Sequence, residues 1–180
     1  MTAKRIEAVL RPASVAVVGA SDTPGSIGEV LCRNLREGGF RGPVFYVNPR
    51  HASIGDKPSY PDVRSLPQTV DVAIVATPPP TLPTVLEHCG ERGVRGAIIV
   101  SAGFREGGEE GAACEKAMLQ VARRYGLRLL GPNSFGVIRT DDGFNASCGA
   151  ALPQPGRLAL VSQSSALCAA TLDWARSRHV

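Results

Sequence analysis

Five short, mostly apolar runs, each closing on a cluster of Gly, Pro, Ser, Thr or Asn and alternating along the chain with helical patterns, limit what this chain can fold into. They are Val15 to Val18, Val44 to Val47, Val70 to Ala76, Gly96 to Val100 and Leu127 to Leu130. A strand that is apolar throughout has to be covered on both faces, and strands that alternate with helices are joined by crossovers that make neighbours parallel. The expected fold class is therefore α/β, built on a doubly wound parallel sheet. In such sheets ligands bind beyond the carboxyl ends of the strands, where the crossover direction reverses. The loops after these runs are the candidate site.

The helices follow from spacing. Lys4 to Leu10 places Ile6, Val9 and Leu10 on one face before Arg11-Pro12 stops it. Ile27, Val30, Leu31 and Leu35 share a face and end at Gly38-Gly39, Leu82 to Arg92 closes at Gly93, and a further helix runs from Glu109 to Tyr125. Ser53 to Pro67 reads as a long loop with at most a turn of helix near Asp62 to Leu66. Val137 to Pro155 has no clear period and reads as a linker or hairpin. Leu158 to Val161 is another apolar strand, Ser162-Gln163-Ser164-Ser165 another small-residue turn, and Ala166 to Arg178 another helix, with Leu167, Ala170, Thr171 and Trp174 on one face. One strand and one helix cannot bury a core. The expected organisation is a first α/β domain over 1–138, a linker over 139–156, and the truncated start of a second α/β domain over 157–180, the whole being a fragment of something longer.

Gly19 to Gly28 is the most specific stretch. Gly19 lets the first strand turn sharply, Ser21 and Ser26 offer hydroxyls, and the helix from Ile27 points unpaired N–H groups and a positive dipole end across the loop. An anion suits that position. The dinucleotide fingerprint is not matched: in its register from Gly19 the later glycine positions hold Ser21 and Pro24, with Gly25 and Gly28 following. The same glycines would also serve a tight strand-to-helix connection with no ligand at all.

Composition narrows the ligand. Net charge is +4 without a basic run, and aromatic residues make up 5%, which suits a small anion better than nucleic acid. The five cysteines (Cys32, Cys89, Cys114, Cys148, Cys168) are widely spaced and include no C-x-x-C pair, so neither a disulfide framework, a zinc site nor any other metal site is expected. No apolar run approaches a membrane span and the start lacks a signal-peptide core, so a cytoplasmic protein that binds neither membrane nor nucleic acid is expected. The second strand ends Asn48-Pro49-Arg50, with no carboxylate until Asp56, whereas an NAD site places an acid there for the ribose. A cation at that point suits an extra ribose phosphate, the 2′-phosphate of NADP or the 3′-phosphate of coenzyme A. Arg50 is the first such cation and Lys57 the next.

Taken together, Gly19-Ala20-Ser21 with Pro24 and Gly28, Asn48-Pro49, Ser101-Ala102-Gly103-Phe104-Arg105-Glu106, Gly131-Pro132-Asn133-Ser134, and Ser162-Gln163-Ser164-Ser165 with Leu172-Asp173-Trp174-Ala175 carry a resemblance. They resemble the CoA-binding region of the NDP-forming acyl-CoA synthetases. That superfamily includes the succinyl-CoA synthetase alpha subunit and protein lysine acetyltransferases that add a GNAT domain. The resemblance implies a Rossmann-like CoA-binding domain followed by the start of a succinyl-CoA-ligase-like, flavodoxin-type domain, with coenzyme A or acetyl-CoA as the ligand. It places the phosphates on Gly19, Ala20, Ser21, Pro24, Ser26 and Gly28, and the adenosine end on Asn48, Pro49 and Arg50. Thr77, Pro78 and Pro79 would take the pantetheine arm. Ser101, Ala102 and Gly103 join the cofactor loops, and Asn133 and Ser134 would lie near the thiol. The turn Ser162, Gln163, Ser164, Ser165 corresponds to one that receives a phosphate carried on a histidine, although Ser165 replaces the usual glycine.

None of His51, His88 and His179 occupies the place of that histidine, so no catalytic residue is expected in this chain. The resemblance implies further domains of the full-length protein as partners, ATP-grasp and in one branch GNAT, and leaves room for an oligomer. Ser134, where many synthetases have Cys, together with Asn145-Ala146-Ser147 and the altered Ser165, leans toward the acetyltransferase branch, with an ADP-forming acetyl-CoA synthetase beside it. The competing readings are a free-standing CoA-binding regulatory module and an NADP-binding oxidoreductase domain. The last lacks any Tyr-x-x-x-Lys or comparable hydride-transfer set.

Overall fold

The computed structural model describes residues 3–149 and 152–178. Strands Val15–Val18 (β1), Val44–Val47 (β2), Ser53–Ile54 (β3), Lys57–Tyr60 (β4), Val72–Val75 (β5), Gly96–Ile99 (β6) and Arg128–Leu130 (β7) form one sheet in the order β3-β4-β2-β1-β5-β6-β7. All neighbours are parallel except β3, which pairs antiparallel with β4 at the edge. Register is strict at the centre: Val15 lies opposite both Val44 and Val72, and Val18 opposite both Val47 and Val75. The carboxyl ends of β1, β2 and β5 are therefore level.

The pleat sorts each apolar run between two cores, because successive side chains point to opposite faces. On one face Ala16, Val18, Ala73, Val75, Ala97 and Ile99 pack beneath helices Leu82–Glu91 (α3) and Glu109–Tyr125 (α4), which contribute Leu82, Leu86, Cys89, Met118 and Ala122. On the other, Val15, Val17, Val72, Ile74 and Ile98 meet Val9 of helix Ala3–Leu10 (α1) and Leu31 and Leu35 of helix Ile27–Glu37 (α2). The expected doubly wound sheet is thus present, with helices on both faces.

Three stretches go beyond or against expectation. Within Ser53 to Pro67, the expected turn of helix near Asp62 to Leu66 is present as a 3-10 turn over Val63–Ser65, capped by Asp62, whose Oδ1 accepts from Ser65 N at 2.9 Å, but the stretch read as loop also supplies β3 and β4 at one side of the sheet. Lys57-Pro58-Ser59-Tyr60 carries no apolar run, and a proline is tolerated only because this strand lies near the sheet edge. The stretch read as a linker or hairpin begins as a hairpin, Gly136–Arg139 (β8) with Phe144–Ser147 (β9), which lays Val137, Phe144 and Ala146 into the core beside α2. It is fastened there by Asn34 of α2, whose Nδ2 donates to Ser147 O at 2.9 Å and Gly149 O at 2.8 Å. Within the expected linker and second unit, residues 150, 151, 179 and 180 lie outside the described residues.

The expected strand Leu158 to Val161 is not formed: Leu158 is 83% and Val161 97% exposed. A strand needs a neighbour for its backbone N–H and C=O groups, and no described strand reaches it. Its helix does form, as Ser165–Arg178 (α5), with Leu167 and Trp174 more than half exposed. Among the described residues no helix is long and apolar enough to cross a membrane.

Candidate functional site

β1 lies between β2 and β5, so the chain leaves β1 to one side and returns on the other. That reversal opens a crevice above the carboxyl ends of β1 and β5, and the loops singled out in the sequence surround it. Gly19 follows β1 with φ +89, a conformation side chains resist, and a Cβ there would lie 2.8 Å from Ala76 O and 3.0 Å from Thr77 Cγ2. Glycine is required at this position by conformation and by space. Gly19 N and Ala20 N both donate to Val47 O, at 2.9 and 3.3 Å, which ties the turn to the end of β2.

α2 starts directly on this turn. A Cβ on Gly28 would sit 2.1 Å from Gly19 O, so only glycine lets the first helical turn approach that closely. Gly28 therefore does the work of helix–strand packing that the dinucleotide fingerprint assigns to its third glycine, nine residues after Gly19 rather than five. Ser26 caps the helix, its hydroxyl accepting from Glu29 N at 3.2 Å. The amides of Ile27 and Gly28 have no acceptor within the helix and lie at its positive dipole end. Ser21 Oγ accepts from Thr23 N at 3.0 Å, and Pro24 stands exposed before Gly25 at φ +78. Beneath the loop, burial pushes the Cys32 thiol up to about 11, so it stays protonated at neutral pH.

Asn48, Pro49 and Arg50 leave β2 on the same rim. Asn48 Nδ2 donates to Ala20 O at 2.8 Å, and its Oδ1 accepts from Arg50 N at 2.9 Å. The Arg50 side chain is exposed. Lys57 is not a rim residue. Tyr46 pairs with Ser59 and Val47 with Tyr60, which puts Lys57 three residues back from the carboxyl end, or about 10 Å away at strand spacing.

Thr77, Pro78 and Pro79 follow β5, and the Thr81 hydroxyl lies 2.8 Å from Thr77 Oγ1 and 2.7 Å from Pro78 O. Ser101 is buried after β6, and its carbonyl accepts from Asn133 N at 2.9 Å. Ala102 and Gly103 are exposed, Gly103 with φ +95. Glu106 Oε1 accepts from Gly103 N at 2.8 Å, and hydrogen bonds from the Glu106 and Gly103 amides hold its carboxyl below the usual range. After β7, Asn133 is exposed with φ +52, and Ser134 Oγ accepts from Gly136 N at 3.0 Å.

Every loop expected to hold cofactor therefore meets on one rim of the sheet. Ser162, Gln163, Ser164 and Ser165 belong to a separate turn whose hydrogen bonds are local: Ser164 N donates to Ser162 Oγ at 3.0 Å and Leu167 N to Ser164 Oγ at 3.2 Å. Sequence reading missed Thr81 and gave Glu106, quoted only as the end of the Ser101 to Glu106 motif, no role, yet both brace rim loops. Their only signal is spacing, four residues after Thr77 and three after Gly103. The rim offers backbone donors, small hydroxyls, prolines and the exposed cation Arg50, equipment for holding an extended anionic ligand.

A family of CoA binding domains matches residues 13–140. The chain is 42% identical over 175 residues to acetate–CoA ligase [ADP-forming] I of Archaeoglobus fulgidus, covering 97% of this chain and 25% of that protein. It is 44% identical over 173 residues to the alpha subunit of acetate–CoA ligase [ADP-forming] I of Pyrococcus furiosus, covering 94% of this chain and 37% of the subunit. Among solved structures it resembles acetyl-coenzyme A synthetase 1 of Ca. Korarchaeum cryptofilum in complex with phosphate and ADP, with a TM-score of 0.89, 35% identity, and coverage of 96% of this chain and 37% of that one. The chain thus spans about a quarter to just over a third of the relatives it matches.

Proposed function

From the premise that the chain belongs to the family of CoA-binding domains, we propose that it is the coenzyme A-holding segment of an ADP-forming acyl-CoA synthetase acting on a small carboxylic acid. The observation that carries this reading is the seating of α2 on the Gly19 turn, which aims the Ile27 and Gly28 amides across the crevice. A pyrophosphate is the anion such a helix end favours. The donor set fits coenzyme A: amides and the dipole for the pyrophosphate, Arg50 for the 3′-phosphate, Thr77 to Pro79 along the pantetheine arm, and Ser101 to Gly103 with Asn133 and Ser134 toward the thiol. When bound, coenzyme A supplies the thiol that carries the acyl group, and this chain's residues orient it. Ser162 to Ser165, at the start of α5, would receive an anion delivered by the remainder of the protein, where ATP-dependent chemistry would reside. The ligases among the relatives support this reading; the lean toward an acetyltransferase rests on Ser134, Asn145 to Ser147 and Ser165 alone, and neither the fold nor the relatives add to it or favour a free-standing regulatory module or an NADP enzyme.

Thermal unfolding tests it. Coenzyme A at about 100 times its dissociation constant adds roughly 2.7 kcal/mol of stability, so CoA should raise the midpoint and NADP at the same concentration should not. Stabilisation by NADP without stabilisation by CoA overturns the proposal.

A further inference from the structure

Asn48 was expected to contact ligand, yet both ends of its side-chain amide are engaged by protein. Nδ2 donates to Ala20 O at 2.8 Å in the loop after β1, and Oδ1 accepts from Arg50 N at 2.9 Å in the loop after β2. Its backbone is held as well, since Asn48 N donates to Tyr60 O at 2.9 Å and extends the β2–β4 ladder by one residue. Val47 O, immediately before it, receives both Gly19 N and Ala20 N. The two rim loops are thus joined at consecutive residues, and Asn48 supplies the part of the joint that reaches Arg50.

Few side chains can make this connection. It needs a donor and an acceptor fixed about 2.2 Å apart in one plane on a short stem, which a primary amide provides. Aspartate has two acceptors, serine a single oxygen, and glutamine one more methylene. We propose that Asn48 is a positioning residue: it couples the turn that faces the pyrophosphate to the backbone of Arg50, setting where that cation meets the 3′-phosphate, and does not itself bind ligand. This rests on the coenzyme A reading above.

The test uses two ligands and two variants. Asn48→Ala removes both arms. Asn48→Asp retains an acceptor for Arg50 N and loses the donor to Ala20 O. For Asn48→Ala, calorimetric titration should show CoA affinity falling about tenfold, equivalent to about 1.4 kcal/mol, with the preference for CoA over dephospho-CoA reduced at least threefold. Adding Arg50→Ala should then cost less than it does in the unmodified chain, the sign of coupled residues. Asn48→Asp should weaken both ligands while keeping their ratio within twofold. An unchanged ratio in Asn48→Ala with an additive cycle overturns the proposal. If Asn48→Ala does not fold, loss of the ratio in Asn48→Asp overturns it and retention supports it. A ligand-free readout separates this inference from the function. Amide exchange at Arg50, followed by NMR, should accelerate about tenfold in Asn48→Ala relative to Asn48→Asp, as expected for a lost hydrogen bond. Equal exchange in the two refutes the brace, whereas failure of the unmodified chain to bind CoA refutes the coenzyme A reading and leaves the exchange result to decide the brace.

Discussion

Replacing Gly28 by alanine separates what the helix–turn contact does for stability from what it does for binding. The new Cβ would sit 2.1 Å from Gly19 O and 3.1 Å from Ser21 N. To reach ordinary contact, near 3.4 Å, the first turn of α2 must retreat by about 1.3 Å. Overpacking of this kind costs about 1–3 kcal/mol, and the better helix propensity of alanine returns about 1 kcal/mol. The net loss of stability should therefore be roughly 0–2 kcal/mol, visible as a modest shift in the urea midpoint with an unchanged slope. Binding should suffer more. If the Ile27 and Gly28 amides hold the pyrophosphate as proposed, a retreat of about 1 Å costs at least one hydrogen bond to a charged group, about 1.5–3 kcal/mol, so CoA affinity should fall at least ten- to a hundredfold by calorimetry. A folded Gly28→Ala variant that binds CoA within twofold of the unmodified chain would refute the argument that α2 feeds the phosphate site.

Asn34→Ala leaves the carbonyls of Ser147 and Gly149 without their buried donor; at about 1–3 kcal/mol for each unpaired group, urea unfolding should show a loss of about 2–6 kcal/mol. Lys57→Ala should change CoA affinity less than twofold, because Lys57 begins β4 away from the rim; a tenfold loss in calorimetry would show the strand assignment to be wrong. Burial raises Cys32 from 9.0 to about 11 and Cys89 to about 12. The neutral thiols stabilise the fold fully below pH 9.0 and progressively less as pH rises toward those values. Denaturant midpoints measured up to pH 10.5 should therefore decline above about pH 9, less so in Cys32→Ala.

The sheet was legible where burial and pattern coincide. Val15–Val18 is apolar without interruption because it lies between two parallel neighbours and under helices on both faces, and α4 ends at Tyr125 because Gly126 takes the left-handed cap. β4 was not legible: Lys57 and Pro58 are exposed and Ser59 and Tyr60 half-buried at an edge, so no apolar period marks it. The hairpin was left open against a linker because its inward residues, Val137, Phe144 and Ala146, are separated by Asp141-Asp142-Gly143 and fasten through Asn34, a polar contact made more than a hundred residues away. The rim loops could be named from their glycines, prolines and serines. What each side chain does there could not, as Asn48 illustrates: a residue type that suits ligand binding equally suits a joint between loops.

α2 has two attachments of different kinds. Its first turn rests on the Gly19 loop, and about 10 Å along its axis, at helical rise, Asn34 grips the backbone on which the chain leaves the hairpin. The helix is in effect a rigid crank between those points. A tilt of 5° about its seat on Gly19 would move the Asn34 end by about 1 Å over that arm, and both grips are backbone carbonyls, which cannot yield as a flexible side chain would. The Gly19 turn and the backbone at Ser147 and Gly149 therefore sit at two ends of one lever, so a displacement at either end of α2 bears on the other.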